Sequence, residues 1–132
     1  MIETLPRYLS GKLQPQAQED TKATYAPMLK KEDGRLDFAH PAEELVRRIR
    51  ALNPRPGAFM EWNGEMLKVH KAHPIDRKVP GIPSEGQRLV YEGAAAVNAA
   101  DGVLVLDEVQ PAGKKPMSGK AFAAGARGWA QR

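Results

Sequence analysis

AFMEWNGEMLKVHKA, residues 58–72, carries the clearest local signal in the chain. Asn63-Gly64 stands between two alternating runs, and that dipeptide supplies the positive φ angles a two-residue hairpin turn demands. The reading is an antiparallel hairpin with Trp62 opposite Glu65. On that register Ala58, Met60, Leu67 and Val69 share a core face, while Phe59, Glu61, Met66, Lys68 and His70 share the other. The second face mixes an aromatic ring with basic-capable groups. Such a face suits either contact with nucleic acid or packing under a helix.

Upstream, KKEDGRLDF (30–38) reads as a turn leading into a short strand, because Leu36 and Phe38 alternate with Arg35 and Asp37. HPAEELVRRIRALNP (40–54) is a helix. Pro41 suits its first position, Glu43 and Glu44 favour the positive end of the dipole, and Asn53-Pro54 ends it. Leu45, Val46, Ile49 and Leu52 form its apolar stripe. Arg47 and Arg48 follow Glu43 and Glu44 by four residues and are expected to form surface ion pairs, which leaves Arg50 without a mate. At the start of the chain Ile2, Leu5, Tyr8 and Leu9 recur at helical spacing until Gly11, after which QPQAQEDTK is polar linker. A turn or two of helix followed by a tether cannot fold alone, so residues 1–22 look like the last helix of a preceding domain.

Downstream, VPGIPSEGQ (79–87) reads as irregular loop, and RLVYE and AAAVN as strands. Asp101-Gly102 turns into VLVLDEV, where Val103, Val105 and Val109 alternate with Leu104, Leu106 and Glu108; apolar residues on both faces imply a buried strand. Ser118 can cap a short helix with Ala121, Phe122 and Gly125 on one side and Lys120 and Arg127 toward solvent. Roughly five short strands with two small helices make the fold mainly β: a small, partly open barrel resembling an OB fold, preceded by an extended linker.

A chain of 132 residues is one domain by size, and folding buries roughly 60–70% of its surface. Without cysteine it has no disulfide framework, thiolate metal site or cysteine nucleophile, which fits a reducing compartment and points to the cytoplasm. The first twenty residues hold acids and a proline where a signal peptide needs an apolar run, and no stretch approaches the ~20 apolar residues of a membrane span. His70 and His73, three apart on a strand, should point to opposite faces and so not share a metal. Gly113-Lys114-Lys115 is no phosphate loop, since Glu108 takes the leading glycine's place and Pro116, not Ser or Thr, follows the lysines. Ser10, Ser84 and Ser118 lack the glycine context of a nucleophile elbow.

The net charge of +4 is modest, but its distribution is not even. Residues 1–22 balance three positive against three negative groups, whereas residues 109–132 hold five Lys or Arg and no acid. Within that run QPAGKKPMSG (110–119) sets Lys114 and Lys115 between two prolines. Restricting the backbone on either side lowers the ordering cost of presenting both ammonium groups to a polyanion.

KKEDGRLDF, PAEELVRRIRALNPRPGAF, LKVHKA, VQPAGKKPMSG and FAAGARGW, in this order, together resemble the C-terminal domain of the bacterial methionyl-tRNA formyltransferase family, over Ala23–Trp129. The resemblance implies an OB-like barrel, residues 23–132, that grips initiator methionyl-tRNA for translation initiation. Residues 1–22 would be the end of the catalytic domain and the interdomain linker. A separate N-terminal catalytic domain would bind the donor, formyltetrahydrofolate, and carry the family's Asn, His and Asp constellation, so this chain would be inactive alone. It would work as a monomer with no membrane partner. On this resemblance Lys114, Lys115 and Lys120 are the first candidates to hold tRNA phosphate, followed by Lys68, Lys71, Arg50 and Arg55. Arg55 replaces the tryptophan common in the family's NPWPGA turn, exchanging an aromatic contact for a cation. Two alternatives keep different functions open: a cleft-shaping domain of a related formyltransferase or of a formyltetrahydrofolate hydrolase, without tRNA, and a stand-alone interaction barrel.

Overall fold

The computed structural model describes residues 3–75 and 85–130; Ile2, the expected loop at 79–84 and Arg132 lie outside them. Helix α1 (Thr4–Leu9) holds the periodic Leu5, Tyr8 and Leu9, and Gly11 follows it at φ +70°. None of its residues is buried; Leu9 is 75% exposed. Residues 14–33 are exposed throughout, with a first 3₁₀ turn at Asp20–Lys22.

A second 3₁₀ turn, Lys31–Gly34, delivers the chain to the body of the fold. The strand expected at Leu36 and Phe38 does not form. Arg35 makes an isolated parallel bridge to Phe59, and the Leu36 N–H donates to the Phe59 carbonyl at 2.8 Å. Leu36 is buried and Phe38 half-buried, so the alternation reported burial; the Asp37–His40 turn leaves no room to extend the ladder. Gly34 is required there, because a Cβ would run into the carbonyl oxygen of Gly57.

Helix α2 (Ala42–Leu52) buries Leu45 and Ile49 fully and Leu52 nearly so, with Val46 packed beside them. Each such side chain contributes roughly 1.5–3 kcal/mol. Pro41 is the N-cap and not the first helical residue, and it has no side-chain acceptor to offer. Asp101 supplies one from across the chain: its Oδ1 accepts from the Ala42 N–H at 2.8 Å. The expected Glu43–Arg47 and Glu44–Arg48 pairs are not formed. Arg48 donates instead to the Asp33 carbonyl at 2.8 Å, and Glu44 lies 3.2 Å from His40 Nδ1, because the folded 31–40 segment offers both side chains nearer partners.

The hairpin forms in the expected register. Strands β1 (Ala58–Trp62) and β2 (Glu65–Ile75) pair with Trp62 opposite Glu65, and Asn63 and Gly64 adopt φ 52° and 76°. Ala58, Met60, Leu67 and Val69 are all buried. Strands β3 (Arg88–Tyr91) and β4 (Ala94–Asn98) form a second hairpin, followed by β5 (Val103–Pro111) and the two-residue β6 (Met117–Ser118). The antiparallel order is β1-β2-β5-β4-β3, with β6 added to β5. No ladder joins β1 to β3 among the described residues, so the sheet stays open, an OB-like domain with a seam.

The register of β2 against β5 slips twice, between Val69 and Lys71 and between Lys71 and Ala72. This double irregularity changes which side chains face inward. Val69 and Ala72, three apart, both pack on the main core; Leu106 and Val109, also three apart, do the same. Val109 therefore joins Leu104 and Leu106, whereas Val103 and Val105 belong to a second cluster with Leu89, Ala94 and Ala96. Strict alternation had placed Val109 with the other two valines. The extra residue also removes the parity argument that separated His70 from His73.

Ser118 caps helix α3 (Gly119–Gly125) as expected, its Oγ accepting from the Ala121 N–H at 3.2 Å. The buried face differs from the expected one: Gly119, Phe122 and Ala126 are buried, while Ala121 and Gly125 are exposed. Gly119 decides this rotation, since the helix start approaches the Leu106 carbonyl so closely that no Cβ fits. Phe122 then reaches Trp62 and Trp129, with ring centroids at 5.1 and 5.3 Å, both near edge-to-face. Trp129 donates its indole N–H to the Leu89 carbonyl at 2.8 Å, fastening the chain end across β3. No helix among the described residues is long and apolar enough to cross a membrane.

Candidate nucleic-acid interface

Lys114 and Lys115 lie in the connection between β5 and β6, and its conformation is fixed from two sides. The Lys114 N–H donates to the Pro111 carbonyl at 3.1 Å, with Gly113 at φ +69°, and the Lys114 carbonyl accepts from Gln110 Nε2 at 2.8 Å. Gln110 is itself oriented by His70, whose Nε2 lies 3.0 Å from its Oε1. The backbone of His70 in turn accepts from Asn53 Nδ2 at 3.3 Å. One polar chain, Asn53–His70–Gln110–Lys114, thus ties the end of α2, strand β2 and the β5–β6 loop together.

Several of the candidate cations lie on the elements that this chain joins, or next to its members in sequence. Lys68 is exposed on β2 and sits opposite Gln110 in the ladder. Arg50 occupies the last turn of α2, and Arg55 the exposed turn two residues beyond Asn53. Lys114 and Lys115 are exposed. Among the described residues, the ion pairs of Lys and Arg are Lys22–Glu19, Arg35–Glu61 and Lys71–Glu108, so none of these five cations has a carboxylate within ion-pair distance.

The other two candidates stand apart. Lys71 Nζ lies 3.6 Å from Glu108, which offsets its charge. Lys120, in the first turn of α3, lines a different cleft with His73, Tyr91, Glu92 and Asp107. Sequence reasoning passed over Asn53, His70 and Gln110 as organisers. The available signal was Gln110 itself, a polar residue ending an apolar strand directly before the lysine loop.

Chemically, five exposed cations without an ion pair among the described residues, two of them on a pinned loop, can hold phosphates. They can position a nucleic acid without reading its bases. No group of three or more His, Cys, Asp or Glu with metal-holding geometry occurs among the described residues.

Comparison with known proteins places these features in a family. A family model described as "Formyl transferase, C-terminal domain" matches residues 28–127. Three proteins named methionyl-tRNA formyltransferase are similar along nearly the whole chain. That of Bacillus velezensis is 39% identical over 125 residues, that of Bacillus pumilus 43% over 124, and that of Bacillus subtilis 39% over 126. These matches cover 95%, 94% and 96% of this chain but 39%, 39% and 40% of the relatives. The chain thus spans about two fifths of the length of the curated relatives it matches. Among solved structures, two variants of HypX from Aquifex aeolicus share the fold, with TM-scores of 0.64 and 0.65 at 19% and 18% identity. They cover 95% and 97% of this chain and 23% of each HypX chain.

Proposed function

The chain belongs to the formyl transferase C-terminal domain family, and on that premise we propose that residues 23–132 are the tRNA-binding domain of a methionyl-tRNA formyltransferase. The observation that carries the reading is the lysine loop held by Gln110 and free of ion pairs among the described residues, with Lys68 opposite Gln110 on the neighbouring strand. Phosphate contacts from these lysines give a modest, salt-sensitive grip on initiator methionyl-tRNA. Tethering turns that grip into local concentration, holding the aminoacyl end near the active site of a preceding catalytic domain. On this reading residues 1–22 are the end of that domain and the linker, and the protein acts as a monomer in the cytoplasm during translation initiation.

Formyltetrahydrofolate, the formyl donor, belongs on this reading to the preceding domain. His73 and Asp107 do meet here, but no asparagine lines their cleft among the described residues, so the residues there do not fit the family's formyl-transfer set. This chain contributes binding and orientation of the acceptor tRNA.

The test is a Lys114→Glu, Lys115→Glu double variant, with tRNA affinity measured across a salt series and thermal melting in parallel. Affinity should fall, and the salt slope should lose about 0.9 per phosphate contact removed, at unchanged melting temperature. Unchanged affinity would overturn the assignment. No tRNA binding by the unmodified chain, together with tight docking to a separately produced catalytic domain, would favour a cleft-shaping role instead.

A further inference from the structure

The cleft that holds Lys120 takes no part in the lysine-loop face. It measures about 310 Å³, at the small end of ligand pockets, which suits a single nucleotide and not a duplex. Its floor is apolar, made by Ala94 and Val105 of the second core cluster with Tyr91 half-buried at one side, while Leu106, whose side chain packs in the main core, only borders it. The polar groups around this floor are unlike a phosphate seat: Asp107 and Glu92 bring two carboxylates, against Lys120 and His73. His73 Nδ1 lies 2.9 and 3.0 Å from the two carboxylate oxygens of Asp107, which fixes the imidazole ring and uses part of that acid's acceptor capacity. Glu92 is exposed on the β3–β4 turn, held there at φ 47°, and has no ion-pair partner among the described residues.

We propose that this cleft takes an unpaired guanine nucleotide of the bound RNA, a reading that rests on the tRNA-binding function above. An apolar floor beside an aromatic ring accepts the face of a splayed base. A free carboxylate at the rim selects among bases by donor pattern. Guanine alone presents two adjacent donors on its Watson–Crick edge, N1–H and N2–H, which one carboxylate accepts as a pair; adenine and cytosine each set an acceptor beside their donor, and uracil flanks its single donor with acceptors. Lys120, exposed at the first turn of α3, reaches the attached phosphate. Ser118 Oγ is already engaged as the helix cap and adds only a wall.

The full chain, titrated with GMP, AMP, CMP, UMP and inorganic phosphate, should show NMR shifts at Tyr91, Glu92 and Lys120 strongest for GMP. Preference for GMP over AMP should reach about tenfold, the low end of discrimination by a bidentate base contact. Glu92→Gln should abolish that preference. Lys120→Ala should weaken all four nucleotides and leave the preference intact. Equal responses to all four nucleotides, the same shifts from phosphate alone, or no response to any nucleotide would overturn the proposal. The Lys114→Glu, Lys115→Glu variant separates the two readings: it should lose tRNA and keep the GMP response. If the unmodified chain binds tRNA but not GMP, only the cleft assignment falls; if it binds GMP but not tRNA, the tRNA function falls and with it the cleft's role in RNA, leaving a guanine-nucleotide site.

Discussion

Single side chains that join distant parts of this chain carry more than their size suggests. Asp101 looks like half of an Asp-Gly turn, yet its carboxylate caps a helix that begins 59 residues earlier, where Pro41 has no acceptor to give. Asp101→Ala should therefore lower stability by about 1 kcal/mol, a typical loss for an N-cap, and Asp101→Asn should restore most of it; urea unfolding of both variants measures this. Gln110 works the same way at the functional face, since its amide holds the Lys114 carbonyl. Gln110→Ala should weaken tRNA binding about three- to tenfold, the value of one hydrogen bond, while leaving the salt slope unchanged because no cation is removed. A slope that falls with the affinity would show that Gln110 acts on charge and not on loop order.

At the scale of elements, what the sequence disclosed was local and what it concealed was long-range. The β1–β2 hairpin was legible to its register because Asn63-Gly64 encodes the turn within two residues. The α2 stripe was legible for the same reason, since one face of 3.6-residue periodicity needs no knowledge of its partner. The lysine loop was legible as a run of unopposed charge, but not the Asn53–His70–Gln110 chain that braces it, whose members lie 17 and 40 residues apart. Likewise the paired slips of β2 on β5 hide in sequences that alternate well on either side, and they alone decide that Val109 faces the main core. Helix α3 was found by its Ser118 cap, but its rotation was set by Gly119 against Leu106, a contact between elements. Phe122 is what that rotation delivers, 4% exposed between two tryptophans. Phe122→Ala should cost about 3–5 kcal/mol, as large aromatic-to-alanine changes in cores do, and should release the Trp129 ring; the melting temperature and near-ultraviolet circular dichroism report the two effects separately.

On the scale of the whole molecule, the described residues divide into a packed body and an unpacked leader. Every residue of the two core clusters lies between Leu36 and Trp129. Helix α1 contributes none, and Tyr25 and Met28 are 90% and 87% exposed. A helix of six residues, none of them buried, is far below the ~12–15 residues at which isolated helices become marginal, so it should contribute little to the stability of the body. Removing residues 1–22 should then leave the melting temperature within about 2 °C of the full chain, well under the ~4–8 °C that a loss of 1 kcal/mol produces in a domain of this class. The same deletion should leave the salt slope of tRNA binding unchanged, because none of the candidate cations lies in the removed segment. Hydrogen exchange on the full chain gives the complementary reading: amides of α1 should exchange at nearly the rate of an unfolded peptide, while those of β2 and β5 should be protected to the level of global unfolding. Protection of α1 in the chain by itself would mean that the helix docks on the barrel, and the division at residue 23 would have to be redrawn.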